Sequence, residues 1–210
     1  MNIDAEAIVF EYYRRGSALA DLLIDHCRRV RDKALAVADA LSGAMIDIDF
    51  INAASLLHDI GIIETDAPSI HCHGSQPYIC HGIIGRRMLE AHGLERLGPI
   101  CERHIGTGIT IADIRQQQLP LPLRDMVPAT LEEIIVCYAD KFFSKSNGGC
   151  ERRPEEIIAD LARYGPEKAA TFKQWHSRFD SSFDDRVGPK VGPEVRPKDS
   201  LDCIGIAAKE

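Results

Sequence analysis

Leu22, Leu23, His26, Val30, Val37 and Leu41 recur at spacings of three, four and seven residues, so this segment presents one apolar face with a helical period. An imidazole lies inside that face. A buried polar ring must find a partner, which limits the folds open to the chain to those that bring one to it. The same period runs through most of the 210 residues, and the alternation of a β-strand is hard to find. Helices are predicted over 4–14, 18–42 and 48–60, with Ser17 and Asp47 as N-caps and Gly43 and Gly61 as stops. A fourth runs from Pro77 to Gly93, and a fifth, irregular near Pro99, covers 94–106. A short segment at 111–118 follows. Thr130 and Glu133 have capping-box spacing and open a helix that carries "EEIIVCYADKFF". Two more are predicted over 154–164 and 166–179. The pattern is all-α, with one domain over 1–183. Residues 184–210 read as an extended tail or docking arm, because "VGPKVGPEVRPK" at 187–198 repeats V-x-P-x three times.

Other metal-binding side chains fall on apolar faces too. On the helix that ends in "AASLLHDIGI", Phe50, Ile51, Ala54 and Leu57 form the buried stripe and His58 and Asp59 end it. Neighbours on a helix diverge by about 100°, but at the last turn both can reach one ion. His81 shares a face with Ile84, Gly85, Met88 and His92, and His104 with Leu97, Ile100 and Cys101. Asp140 shares one with Val136, Cys137 and Phe143. Any one of these has an ordinary explanation as a hydrogen-bonded core histidine or a capping acid. Four inward histidines and two inward aspartates on five predicted helices, with few buried cations to neutralise them, point instead to a shared metal site.

His26, the His58-Asp59 pair in "LLHDIG" and Asp140 in "YADK" resemble the H…HD…D signature of the HD-domain metal-dependent phosphohydrolase superfamily, in its HDIG branch. The resemblance covers residues 20–146 and is nearest to small bacterial single-domain HD hydrolases. It implies a compact bundle of five core helices with flanking helices, and His26, His58, Asp59 and Asp140 as ligands of a first metal. His81 in "HGIIG" and His104 in "CERHIGTG" match the extra histidines of branches that hold two metals bridged by the aspartate of the pair, here Asp59. There is no GYP motif of the kind found in cyclic dinucleotide phosphodiesterases.

Imidazole and carboxylate together suit Mn, Fe, Co, Ni or Zn better than Ca or Mg. Two such ions about 3.5–4 Å apart can hold a hydroxide for in-line attack on phosphorus. The expected activity is hydrolysis of a phosphoester or phosphoanhydride of a nucleotide-like small molecule by metal-bound hydroxide, with Asp59 and Lys141 as catalytic residues. Lys141, Lys145, Arg103 and Thr107, the last within the glycine-flanked "HIGTGIT", are candidate substrate contacts. His71 and His73 lie in a long loop at 64–78 and are set aside as exposed loop histidines, and His92 and His176 are assigned to a helix end and a surface. Three alternatives remain: a mononuclear HD nucleotidase, a di-iron HD oxygenase, and a non-catalytic regulatory module that keeps its metal.

A net charge of −7 disfavours a nucleic-acid polymer or an anionic membrane as partner. Seven cysteines without paired spacing suggest a reducing cytoplasm rather than a disulfide framework. The N-terminus does not resemble a signal peptide, and no apolar run is long enough to span a bilayer. A homodimer is compatible with the sequence.

Overall fold

The computed structural model describes residues 3–41, 44–145 and 150–180. The proposed stop at Gly43 and the 187–198 repeat lie outside them. The described residues form α1 (Ala5–Tyr12), α2 (Ala18–Ala40), α3 (Ile48–Leu57), α4 (His81–Ala91), α5 (Gly98–Arg103), α6 (Ile111–Gln117), α7 (Leu131–Asp140), α8 (Pro154–Ala162) and α9 (Pro166–Phe179). Side-chain oxygens of Ser17, Asp47 and Thr130 accept from backbone N–H groups three residues on, so the predicted N-caps hold. The reciprocal half of the box at Thr130 does not form. Glu133 is buried and accepts instead from the Ala129 N–H at 2.6 Å and from Arg103. A complete box forms at Thr110 and Asp113.

Helix α2 packs on α3 and α7, α4 packs on α5, α5 touches α7, and α8 pairs with α9, which also meets α7. The buried face of α2 runs through Leu23, His26, Cys27, Val30, Ala34 and Ala38. Leu22, Val37 and Leu41 are only half-buried at its edge, so the stripe is rotated slightly from the predicted one. Leu23, Ile51, Leu57, Leu89, Ile100 and Ile135 fill the interior, and each such burial contributes about 1.5–3 kcal/mol.

Three boundaries differ from expectation. Helix α3 ends at Leu57, and the chain tightens into a 3-10 turn over Ile60–Glu64. Helix α4 begins at His81 because Tyr78–Cys80 form another 3-10 turn. Helix α5 starts only at Gly98, with Pro99 in its first turn, where the missing N–H costs nothing. The 64–78 segment is not simply a loop. It folds into β1 (Thr65–Ala67), β2 (Cys72–His73) and β3 (Gln76–Pro77) in the order β2-β1-β3, antiparallel to β2 and parallel to β3. Buried Thr65, Ile70 and Cys72 anchor it. Strands this short carry no readable alternation.

His176, assigned to a surface, is buried. Its Nδ1 lies 2.7 Å from the Tyr138 hydroxyl, and its ring stacks on Phe172 where α9 meets α7. His92 does cap the end of α4, with Nε2 2.8 Å from the Tyr12 hydroxyl. Among the described residues no helix is long and apolar enough to cross a membrane.

Candidate metal centre

Of the six donors singled out in the sequence, only His26 lies mid-helix. His58 and Asp59 follow the last residue of α3, His81 is the first residue of α4, His104 follows α5, and Asp140 ends α7. Helix ends let side chains from four directions meet a point that no continuous helix could enter. All six are buried, with His58 and Asp59 at 0% exposure. His26 Nε2 lies 3.2 Å from Asp59 Oδ2 and 3.1 Å from Asp140 Oδ1. His58 Nε2 lies 3.0 and 3.4 Å from the same two oxygens. Across Asp59, Oδ1 is 3.4 Å from both His81 Nε2 and His104 Nε2, which are 3.2 Å from each other. The donors thus form two groups, His26–His58–Asp59–Asp140 and Asp59–His81–His104, joined by the two oxygens of one carboxylate.

Backbone carbonyls hold three of the four rings, His26 Nδ1 having no such partner. His58 Nδ1 is 2.8 Å from Ser55 O, His81 Nδ1 2.7 Å from Tyr78 O and His104 Nδ1 3.2 Å from Ile100 O. A proton held at Nδ1 leaves the Nε2 lone pair facing the centre, the arrangement in which histidine ligates metal. Despite the crowding, His26 Nε2, His58 Nε2 and Asp59 Oδ1 have no hydrogen-bond partner among the described residues, and Asp59 Oδ2 meets only the ammonium group of Lys145 beyond the ring nitrogens. Buried polar atoms left so are costly, and converging lone pairs are what a divalent cation satisfies. The residues therefore fit a metal.

Two lysines sit over the carboxylates. Lys145 Nζ lies 2.5 Å from Asp59 Oδ2, and Lys141 Nζ lies 2.7 Å from Asp140 Oδ2 and donates to His104 O at 3.1 Å. Burial would raise the aspartate pKa values, but Lys145 and His58 hold Asp59, and Lys141 and His26 hold Asp140, well below the usual carboxylate range. Burial drives His81 down to about 3 and lowers His104 as well, so both rings are neutral and able to ligate. Burial opposes charge on His58 also, yet Asp59 beside it raises that ring well above its ordinary value, so a metal at its Nε2 would have to displace a proton.

Lys141 and Lys145 line a cleft of about 300 Å³ together with Tyr78, His81, His104, Gly106 and Asp140. Arg103 is tied to Glu133 at 2.8 Å, between α5 and α7, and lies outside that lining. Thr107 is buried and faces an adjoining pocket. His71 and His73 are exposed and belong to neither donor group.

Two contributors carried no sequence signal. The Tyr13 hydroxyl donates to Ile60 O at 2.7 Å and accepts from Ile63 N–H at 3.1 Å, pinning the turn after Asp59. Tyr78 supplies the carbonyl for His81 and a ring 4.8 Å from it. Gly61, expected as a helix stop, has another use. A Cβ there would stand 2.2 Å from His81 O and 2.4 Å from Gly85 N, so a bare backbone lets α4 cross the turn and deliver His81.

A helical bundle whose ends converge on buried imidazoles and carboxylates defines a metal-site protein. Residues 23–144 match the HD domain family, and the chain belongs to it, within the metal-dependent phosphohydrolase superfamily. Among its relatives is an uncharacterized protein of Methanocaldococcus jannaschii, 39% identical over 121 residues, which are 56% of this chain and 64% of that one. Two others are named tRNA (cytidine(56)-2'-O)-methyltransferase. The protein from Thermoplasma volcanium is 31% identical over 159 residues, 75% of this chain and 41% of its own length. The one from Picrophilus torridus is 37% identical over 125 residues, 59% of this chain and 32% of its own length. The chain thus spans less than two thirds of each of these relatives. No solved structure matches it. Family membership and the buried donor cluster together support a metal-dependent hydrolase of the HD type.

Proposed function

We propose that the chain is a dinuclear phosphohydrolase that cleaves a phosphoester or phosphoanhydride of a nucleotide-like small molecule. The observation that carries this reading is the sharing of Asp59 between two donor groups, one oxygen facing each. Divalent transition ions there would supply an activated water and Lewis-acid polarisation of the phosphoryl oxygens. The remaining work falls to the chain. Asp59 and Asp140 stay ionised, and His81 and His104 stay neutral. Lys141 and Lys145 face the cleft with ammonium groups fixed by carboxylates, where they meet phosphoryl oxygens and stabilise charge that grows as the bond breaks. Enclosure strengthens each of these interactions.

The methyltransferase names belong to longer proteins of which this chain matches 41% and 32%. A small phosphorylated substrate suits a cleft whose lining ends on buried histidines, Asp140 and two lysines. The test is to reconstitute metal-free protein with Mn, Fe, Co, Ni, Zn or Mg and incubate it with a panel of nucleotides and dinucleotides, following phosphate and nucleotide products. Asp59→Ala must abolish turnover. Release that survives this change, or a loaded protein inert towards the whole panel, overturns the reading.

A further inference from the structure

The small sheet of residues 65–77 leads straight to the metal cleft. Asp66 of β1 pairs with Pro77 of β3, and the next residue, Tyr78, opens the 3-10 turn that precedes α4. Two parts of Tyr78 already serve His81, its carbonyl 2.7 Å from Nδ1 and its ring 4.8 Å away. Neither uses the hydroxyl. That group lies against the ammonium of Lys145, and both side chains line the cleft with Lys141, His81 and His104. Lysine can only donate, so the phenol oxygen accepts there and its own hydrogen needs a different acceptor. Among the described residues none takes it. A phenol keeps its proton at neutral pH, and burial pushes this one further that way. The cleft therefore contains a neutral donor that the chain itself does not use.

We propose that Tyr78 is a substrate-contacting residue of this centre, its hydroxyl donating to a phosphoryl oxygen that Lys141 and Lys145 also face. That the acceptor is a phosphoryl group rests on the phosphohydrolase reading above. The lysines must share their hydrogens between substrate and the carboxylates of Asp140 and Asp59, whereas Tyr78 has no carboxylate to leave. A water in the cleft can take the same hydrogen, but an arriving phosphoryl oxygen replaces it with a charge-assisted bond, the stronger kind. The ring rests on His81 and the backbone before it is held by the sheet, so the hydroxyl is in place before substrate arrives. A donor fixed in advance is what stabilises charge as it develops. The short strands of the 65–77 segment thus have a use: they set a phenol over the cleft.

The experiment titrates inorganic phosphate into the full-length, metal-loaded parent, Tyr78→Phe, Lys145→Met and the double variant, by calorimetry at matched metal content. Phenylalanine keeps the ring on His81 and the backbone carbonyl, so metal content and melting temperature should equal the parent's. Phosphate affinity should fall about tenfold or more, the loss of one hydrogen bond to a charged group. The same change made in the Lys145→Met background should again cost about tenfold, because the hydroxyl binds phosphate directly. Tyr78→Phe protein that binds phosphate within about twofold of the parent overturns the proposal. So does loss of metal along with phosphate, since Tyr78 would then act through His81. So does a silent Tyr78→Phe change in the Lys145→Met background, since the hydroxyl would then only hold Lys145 in place. Failure of the hydrolase reading looks different. If Tyr78→Phe weakens phosphate while the parent releases phosphate from no ester, the contact stands and the hydrolase falls. If the parent hydrolyses esters and Tyr78→Phe alters neither phosphate binding nor kcat/KM, the hydrolase stands and the contact falls.

Discussion

Gly61→Ala tests whether the glycine of the "HDIG" run acts through sterics or through backbone freedom. The added methyl would meet backbone atoms, His81 O at 2.2 Å and Gly85 N at 2.4 Å, and must withdraw to at least 3.0 Å from each. Backbone cannot rotate aside as a side chain can, so α4 must move off the turn by most of an ångström. The cost should reach the upper end of overpacking, about 3 kcal/mol, and a domain of this size should then melt roughly 6–12 °C lower. The displacement falls on His81, whose Nε2 is 3.4 Å from Asp59 Oδ1 and 3.2 Å from His104 Nε2. Ligand distances tolerate about 0.2 Å, so the Asp59–His81–His104 group should fail. The other group hangs from α2, the end of α3 and α7 and should survive. The expected result is one retained ion per protomer where the parent retains two, read by elemental analysis after dialysis, with the lower melting temperature. Gly93→Ala is the control. Its φ of 70° is strained for alanine, but nothing lies within 4 Å of its added Cβ, so it should cost about 1–2 kcal/mol and no metal. A Gly61→Ala protein that melts within about 2 °C of the parent and keeps both ions would refute the steric argument.

His104→Ala should lose one ion and turnover while leaving the fold intact, and metal content with thermal melting checks both; a variant that retains both ions removes His104 from the ligand set. Lys141→Met in the metal-loaded protein should lower kcat by about 100–1000-fold with a smaller change in metal content, and an unchanged kcat shows that Lys141 does not touch the reacting phosphoryl group. For the metal-free protein, burial holds His81 down to about 3, whereas the unfolded ring titrates near 6.5. Between those values the unfolded chain binds the extra proton, so stability falls as pH drops from about 6.5 towards 3, by up to about 1.4 kcal/mol per unit. Urea titrations at several pH values check this, and stability that rises on acidification in that window contradicts it.

The helices were legible because caps and periods are local. Ser17, Asp47 and Thr130 sit where their side chains accept the expected N–H groups. Most of the donors announced themselves for a related reason, being polar residues at positions that an apolar period reserves for the core. What the sequence hides is what other segments impose. Gly61 reads as a stop, yet the reason for it lies in α4, about 20 residues further on, where His81 O and Gly85 N press against it. Glu133 has capping-box spacing, but Arg103 and the Ala129 N–H take its carboxylate. Arg103 is lost to the candidate site by the same pairing. His176 looks like a surface residue until Phe172 and Tyr138 close over it. Tyr13, more than 40 residues from the turn it pins, gives no local sign at all.

The charge in the centre bears on when metal and substrate bind. Asp59 and Asp140 face Lys145 and Lys141 at 2.5 and 2.7 Å, so the carboxylates are balanced by the chain itself. Divalent ions at the two donor groups would leave the enclosure strongly positive, and burial would keep water from screening the excess. A phosphate dianion restores the balance and gives both ammonium groups a second partner. Metal and phosphate should therefore tighten one another, and linkage requires the two effects to be equal. A coupling of about 1–3 kcal/mol is the ordinary range, roughly 5–150-fold in affinity. The measurement is the dissociation constant for Mn with and without saturating inorganic phosphate, corrected for the metal that phosphate itself sequesters. Lys141→Met should shrink the coupling, because it removes one of the groups that make the anion welcome. Equal Mn affinities in the two conditions would mean that phosphate does not enter this cleft, and the assignment of Lys141 and Lys145 to the phosphoryl group would go with it.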